Sequence, residues 1–117
     1  MRTPAQHTGQ SGEDRAALFL EAKGYQIIHR NYRYRRAEID LIAQKDQLLV
    51  FVEVKTRRSS DFGHPEDFVG SRKAALIIEA ADHYIHQHNW QGDIRFDIIA
   101  IITQPSIEIQ HMEDAFY

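Results

Sequence analysis

Two segments of the chain carry apolar residues at helical spacing, and five others carry the alternating or continuous apolar runs of β-strands. The first helix is expected from about Glu13 to Lys23, after a flexible N-terminal tail of residues 1–10 and a cap at Ser11 or Gly12. Its inward face carries, at positions i, i+3, i+4 and i+7, Glu13, Ala16, Ala17 and Leu20.

The predicted strands follow in chain order as Tyr25–Arg33, Ala37–Gln44, Gln47–Lys55, Asp93–Ile102 and the shorter Ser106–His111. A helix over residues 72–88, capped by Ser71, separates the third strand from the fourth. It follows a loop from Thr56 to Gly70, and it is long enough to join two parallel strands. Residues 11–117 therefore predict one α/β domain in which helices cover a mixed sheet.

Four charged residues interrupt the second and third predicted strands, where burial would make an unpaired charge costly. They are Glu38, Asp40, Glu53 and Lys55. A loop of two or four residues around Lys45-Asp46 would put all four on one face, with Glu38 opposite Glu53 and Asp40 opposite Phe51. A three-residue loop would separate Asp40 from Glu53, so a shared site requires the even loop. The other face would then carry Ile39, Leu41, Val52 and Val54.

The composition narrows the functional classes. The 117 residues include no cysteine, which excludes disulfides and thiolate metal sites. No apolar run approaches the roughly 18–20 residues of a membrane span, and residues 1–10 lack the apolar core of a signal peptide. A cytoplasmic protein with no membrane partner is expected.

The charge is distributed unevenly along the chain. The net charge is -3, but the segment from Lys23 to Arg58 has nine basic and four acidic residues, a local +5. A basic segment within an acidic chain is typical of a surface that binds a polyanion, unless the charges mix in space. The basic side chains considered for nucleic-acid contact are Arg30, Arg33, Arg35, Arg36, Arg57 and Arg58, with Tyr32 and Tyr34 interleaved for stacking on bases.

The carboxylates suggest a metal-dependent hydrolase. Asp40 and Glu53, on one face of adjacent strands, have the ligand chemistry for Mg²⁺ or Mn²⁺. Glu13 could join them from the first helix, and Lys55 could stabilise developing negative charge. The alternative is a structural ion pair of Lys55 with Glu53 or with Asp40. A zinc site at His83, His86 and His88 is less favoured than a surface cluster near the end of a helix.

Several motifs occur together in a recognisable order. They are G-E-D-R-A-A-L-F-L-E-A-K-G-Y, R-N-Y-R, E-I-D-L-I-A, F-V-E-V-K-T-R, F-G-H-P, R-F-D-I-I-A-I and a final A-F. This order, over about residues 9–117, resembles the uncharacterised YraN-like bacterial family. That family is similar to the PD-(D/E)XK nuclease superfamily, especially the archaeal Holliday-junction resolvases. The resemblance implies a restriction-endonuclease-like core of helix, three strands, helix and strand.

The resemblance also implies roles for individual residues. Glu13 resembles the acidic residue of the first helix, Asp40 the motif aspartate, and Glu53 with Lys55 the E-x-K pair. Lys73, at the start of the second helix, resembles a further basic position near the phosphate. Asp97 matches a motif position whose role is not assigned, and a buried or capping aspartate is the alternative.

Three functions follow as hypotheses. The first is a Mg²⁺- or Mn²⁺-dependent endonuclease that acts on DNA, in preference to RNA, including branched DNA. The second is a nucleic-acid-binding module that keeps the fold without catalysis, and the third is a protein-interaction domain that presents its basic segment to an acidic partner. A homodimer would let a small domain span a symmetric junction.

Overall fold

A computed structural model describes residues 4–59 and 68–116, except the side chains of residues 4–11. Its elements are α1 (Pro4–Ala22), β1 (Gln26–Tyr34), β2 (Ala37–Lys45), β3 (Leu48–Arg57), α2 (Ser71–Gln87), β4 (Asp93–Ile102) and β5 (Glu108–Met112). The F-G-H-P motif and most of the predicted loop before α2 lie outside the described residues.

The strands form one sheet in the order β1-β2-β3-β4-β5. β3 and β4 are parallel, because α2 carries the chain back between them, and the other neighbouring pairs are antiparallel. The prediction of an α/β fold with a mixed sheet is confirmed. The order of helix, three strands, helix and strand also agrees with the restriction-endonuclease-like core that the resemblance implied.

The hairpin of β2 and β3 turns through the two residues Asp46 and Gln47, with Lys45 opposite Leu48. The even loop is therefore confirmed, but the predicted pairing is wrong. Phe51 lies opposite Ile42 rather than Asp40, and continuing the register beyond Leu41 and Val52 places Asp40, not Glu38, opposite Glu53. The turn begins one residue later than predicted because Asp46 adopts a left-handed conformation with φ 55°.

Each face of the sheet is covered by one helix. On the α2 face the core includes Ile39, Phe51 and Ile77, and on the α1 face it includes Leu41 and Val52. The prediction that Ile39 shares a face with Leu41 is therefore wrong. The side-chain alternation is broken between them, at Asp40, which lies across from Asn31 in β1, a non-glycine residue with φ 55°.

Both helix starts also differ from expectation. α1 begins at Pro4 rather than at about Glu13, although Ala16 and Leu20 are fully buried as predicted. α2 begins at Ser71 itself, and the extended residue before it, Gly70, is the N-cap without a side-chain hydrogen bond. Whether residues 1–10 form a flexible tail stays a prediction. No helix in the described part of the chain is long and apolar enough to cross a membrane.

Candidate functional site

A cavity of about 560 Å³ opens where β2 and β3 stop pairing with each other. Its acidic lining comes from three elements and consists of Glu13, Glu38, Asp40 and Glu53. Its basic lining consists of Arg36, Lys55 and Lys73. The four charged positions of the hairpin and the carboxylate of α1, which were predicted to share a site, thus line one cavity.

Three of these carboxylates form a tight group. Glu13, Glu38 and Asp40 each offer an oxygen, and the three oxygens lie within 4.8 Å of one another. Glu13 belongs to α1, whereas Glu38 and Asp40 belong to β2 and are separated by one residue. The predicted ligand set was Asp40, Glu53 and Glu13, whereas the carboxylate that groups with Asp40 and Glu13 is Glu38.

Asp40 fills the gap at which the β2–β3 ladder ends. Its Oδ2 accepts a hydrogen bond of 2.8 Å from the backbone nitrogen of Val54. Burial, and then repulsion from Glu53, nevertheless raise the pKa of Asp40 to about 7. Burial also raises the pKa of Glu13, against the opposing effects of Asn31 and Arg30. Burial and neighbouring carboxylates therefore oppose the charged form of both residues.

Asn31 connects two members of this group, and the sequence argument missed it. Carboxylates only accept hydrogen bonds, so the amide nitrogen of Asn31 must face them. In that orientation it donates to Glu38 Oε1 at 3.0 Å and to Glu13 Oε1 at 3.1 Å. The available signal was an asparagine inside a strand of β-forming residues, since asparagine tolerates a left-handed backbone far better than its neighbours do.

Glu53 belongs to a second, cationic part of the cavity. Only 4% of its side chain is exposed, and Oε1 lies 2.7 Å from Lys73 Nζ and 3.3 Å from Lys55 Nζ. Burial and the neighbouring Lys73 lower the pKa of Lys55. Burial would lower that of Lys73 too, but its hydrogen bonds with Glu53 and Lys55 outweigh this, and its pKa is raised. The E-x-K ion pair considered from the sequence is present, within a three-residue cluster.

Three of the six arginines predicted to contact nucleic acid are paired with acidic side chains. Arg30 lies 2.7 Å from Asp14 and 3.8 Å from Glu13. The other two pairs are Arg33 with Glu38, and Arg35 with Glu79, both at 3.1 Å. The expected basic surface is thus partly neutralised in space, because its acidic partners come from α1, β2 and α2.

Three other predicted arginines are placed differently. Arg36 lines the cavity and, among the ion pairs between described residues, takes part in none. Arg57 lies over the ring of Phe68, 5.9 Å from the ring centroid, and donates a hydrogen bond to the backbone carbonyl of Thr56. Arg58 is exposed just beyond β3.

Gly12 allows α1 to approach β3 at the cavity. A Cβ atom at this position would lie 2.6 Å from Thr56 Oγ1, which is shorter than van der Waals contact. Gly12 directly precedes Glu13 and Thr56 directly follows Lys55, so this close approach lies beside two charged residues of the cavity.

The chain matches the Uncharacterised protein family UPF0102 over residues 12–101. It belongs to that family. Related UPF0102 proteins include one of Flavobacterium psychrophilum, 48% identical over 110 residues that cover 93% of this chain and 92% of the relative. Others are from Prosthecochloris aestuarii, 45% identical, and Christiangramia forsetii, 41% identical, each covering 93% of this chain and 92% of the relative. The predicted membership of the YraN-like family is confirmed.

A second charged network lies away from the cavity, and only Arg95 and Asp97 of it fall within the residues that match UPF0102. Asp97 is fully buried, and its carboxylate accepts hydrogen bonds from Arg95, from His111 at 2.7 Å and from the backbone nitrogen of Asp114. Although burial opposes ionisation, these donors together lower the pKa of Asp97. The motif aspartate is therefore a buried structural anion that ties the chain's end to β4.

The histidines of α2 contact residues of the protein itself. His83 lies 2.7 Å from the hydroxyl of Tyr32 and stacks on Tyr34, with ring centroids 4.0 Å apart. His86 is close to Asp82 and to its backbone oxygen, one turn earlier. In this UPF0102 chain they are part of the surface of α2 and β1 rather than of the carboxylate group.

Proposed function

We propose that this UPF0102 protein is a Mg²⁺- or Mn²⁺-dependent nuclease that hydrolyses phosphodiester bonds of DNA at the cavity between α1, β2 and β3. The observation that carries this proposal is the junction of two opposite charge groups in one cavity. Glu13, Glu38 and Asp40 form an anionic wall, and Lys55 with Lys73 forms a cationic one.

The anionic wall fits a hard divalent cation. Its donors are all carboxylate oxygens, which Mg²⁺ and Mn²⁺ prefer. They lie so close together that their negative charges repel one another. Asp40, Glu13 and Glu38 would hold the ion, and Glu53 stays a predicted ligand. When bound, such an ion lowers the pKa of water and offsets charge on the phosphate.

The chain's own cations supply the rest of the proposed chemistry. Lys55 and Lys73 are held on one oxygen of Glu53, so their remaining N–H groups can donate to phosphate oxygens in the cavity. Glu53 keeps the two like charges together in the absence of substrate. Loss of Glu53 should therefore disturb phosphate binding as well as any contribution to metal binding.

The nucleic-acid contacts are proposed at the mouth of the cavity. Arg36 lies on the cavity wall, and Arg58 follows the end of β3, so both can meet a phosphate backbone next to the reacting group. Arg30, Arg33 and Arg35 would contribute after exchanging carboxylate partners for phosphate, at a smaller net gain. The preference for DNA, and for branched DNA, comes from the likeness to resolvases.

The direct test is cleavage of end-labelled linear, flapped and four-way DNA and of single-stranded RNA, with Mg²⁺, Mn²⁺ or EDTA. We expect metal-dependent DNA products with wild type and at least about 100-fold slower cleavage with Asp40→Asn. Asp82→Asn, on the exposed surface of α2, is the matched control and should cleave normally. Salt-sensitive binding without turnover would favour the non-catalytic module, and no binding at low salt would favour the protein-interaction domain.

A cytoplasmic location and a homodimer remain part of the proposal. The dimer is checked by light scattering on the purified chain with and without four-way DNA. A monomer in both samples would remove the symmetric binding of a junction from the proposal and leave hydrolysis at the single cavity in place.

A further inference from the structure

Asn31 has an unusual position for a strand residue. It lies in β1 with φ 55°, whereas its neighbours Arg30 and Tyr32 pair regularly with Leu41 and Ile39 of β2. The chain therefore accepts a left-handed residue inside a nine-residue strand, where it costs stability unless something compensates. Hydrogen bonds from the side chain of Asn31 to two carboxylates of the cavity offer this compensation.

The amide nitrogen of Asn31 bridges two acids from different elements. Its donations to Glu38 Oε1 at 3.0 Å and Glu13 Oε1 at 3.1 Å use both of its hydrogens. Glu13 is carried by α1 and Glu38 by β2, and like charges on the two elements otherwise repel. A neutral double donor holds both acids in place through one oxygen of each. The other oxygens face arginines, Glu38 Oε2 lying 3.1 Å from Arg33 and Glu13 Oε2 3.8 Å from Arg30.

An arginine or lysine at this position would also attract the two acids, but it would neutralise the site and compete with a divalent cation. Arg30 and Arg33, on either side, already face the outer oxygens of the two acids, Glu13 Oε2 at 3.8 Å and Glu38 Oε2 at 3.1 Å. An asparagine orients the two acids by hydrogen bonds and adds no net charge. The side chain at position 31 thus sets the spacing of the carboxylates without adding a further positive charge beside them.

We infer that Asn31 is a positioning residue of the carboxylate group, which fixes Glu13 against Glu38 before any cation binds. This inference rests on the proposed function for its consequence in metal binding, but the bridge itself is a property of the metal-free chain. Two measurements therefore separate the two claims.

The first measurement is a double-mutant cycle on urea unfolding without metal. Asn31→Gly keeps the left-handed backbone and removes the amide, and Glu38→Ala removes one acceptor. We expect the double variant to differ from the sum of the single variants by about threefold or more in the unfolding equilibrium constant. Additive effects would overturn the bridge.

Asn31→Asp distinguishes positioning from a purely backbone role. Aspartate also tolerates a left-handed conformation, so a backbone role predicts wild-type stability. It cannot donate, however, and it adds a third like charge beside Glu13 and Glu38. We expect Asn31→Asp to unfold at a lower urea concentration than Asn31→Gly in EDTA. Equal stability of Asn31→Asp and wild type would overturn the inference.

The second measurement is Mn²⁺ affinity by calorimetry or by the EPR signal of free Mn²⁺. Asn31→Gly should bind Mn²⁺ about tenfold more weakly than wild type, as expected for loss of a group that orients ligands. Asn89→Gly is the matched control, because Asn89 is also left-handed, with φ 51°, but lies beyond the end of α2. Unchanged affinity in Asn31→Gly contradicts the inference. If the folded wild type binds no Mn²⁺, the proposed function fails, and the unfolding cycle still decides the role of Asn31.

Discussion

Asp40 accepts the backbone N–H of Val54 at 2.8 Å, at the point where the ladder between β2 and β3 has ended at Leu41 and Val52. The carboxylate thus takes the place of the backbone carbonyl that would accept the N–H of Val54 if the ladder continued. Because β2 stops pairing with β3 at this point while it still pairs with β1, space opens beside β3, and the same side chain lines that space. The fold and the site are joined at this residue.

The pH dependence of stability should reveal Asp40. Its pKa in the folded chain is raised from 3.8 to about 7, so the folded state holds a proton that the unfolded state releases. The favourable contribution is complete below about pH 4 and is lost as pH rises through 7. We expect metal-free unfolding free energy to fall by on the order of 2–4 kcal/mol across this window.

The Asp40→Asn variant provides the comparison for that titration. Asparagine can still accept from Val54 but has no charge, so the variant should lack most of the fall and exceed wild type in stability at pH 8. Urea unfolding at pH 4 to 8 in EDTA measures both proteins. Parallel pH profiles for the two would show that Asp40 does not titrate in this window.

Removing Glu53 should destabilise the chain. The side chain is 4% exposed and is the shared partner of Lys55 and Lys73, so Glu53→Gln leaves two neighbouring cations without a counter-ion. We expect a loss of about 1–3 kcal/mol at pH 7. Glu79→Gln, which breaks the exposed pair with Arg35, should change stability by less than about 0.5 kcal/mol. Similar small effects of both substitutions would argue against a coupled lysine cluster.

Substituting Gly12 should disturb Glu13 through the backbone. The methyl group of Gly12→Ala would meet Thr56 Oγ1, so either α1 or the Thr56 side chain must move. We expect a cost of about 1–3 kcal/mol and weaker Mn²⁺ binding. Thr56→Ala in the same chain should restore much of both losses. Gly70→Ala is the control, because nothing lies within 4 Å of its added Cβ. Thermal unfolding and calorimetry measure the set, and a neutral Gly12→Ala would rule out the close approach as the reason for glycine.

DNA affinity should depend more on Arg36 than on Arg33. Arg36 has no ion-pair partner among the described residues and lies on the cavity wall, whereas Arg33 must release Glu38 to meet phosphate. Fluorescence anisotropy with labelled four-way DNA in EDTA should show a larger loss of affinity for Arg36→Ala than for Arg33→Ala. The affinity of Arg36→Ala should also depend less steeply on salt, as expected when about one counterion fewer is released. Equal losses for both variants would mean that the ion pair does not restrain Arg33.

Much of the fold followed from local patterns. Residues Asp93–Ile102 were placed correctly because a long apolar run bounded by Gly92 and Pro105 has few alternatives. The even hairpin loop was also predicted, because a site shared by Asp40 and Glu53 required it. The register was not, because a one-residue displacement of the turn to Asp46-Gln47 depends on the backbone of Asp46.

The residues that line the site were predicted from the sequence better than the way in which they group in space. Alternation treats a strand as regular, so it could not foresee that a left-handed Asn31 beside Asp40 would put Ile39 and Leu41 on different faces. The partners of the arginines were equally hidden. Asp14 is 16 residues from Arg30 and Glu79 is 44 residues from Arg35, and the packing of the two helices on the sheet brings these pairs together.

The most direct test of the proposed site is a crystal of the chain soaked in Mn²⁺, with anomalous scattering recorded at the manganese edge. We predict an anomalous peak in the cavity that contacts Asp40 together with Glu13 or Glu38, and its absence in the Asp40→Asn crystal. Wild-type crystals with intact carboxylates and no peak in the cavity, or a peak only elsewhere on the surface, would contradict the account.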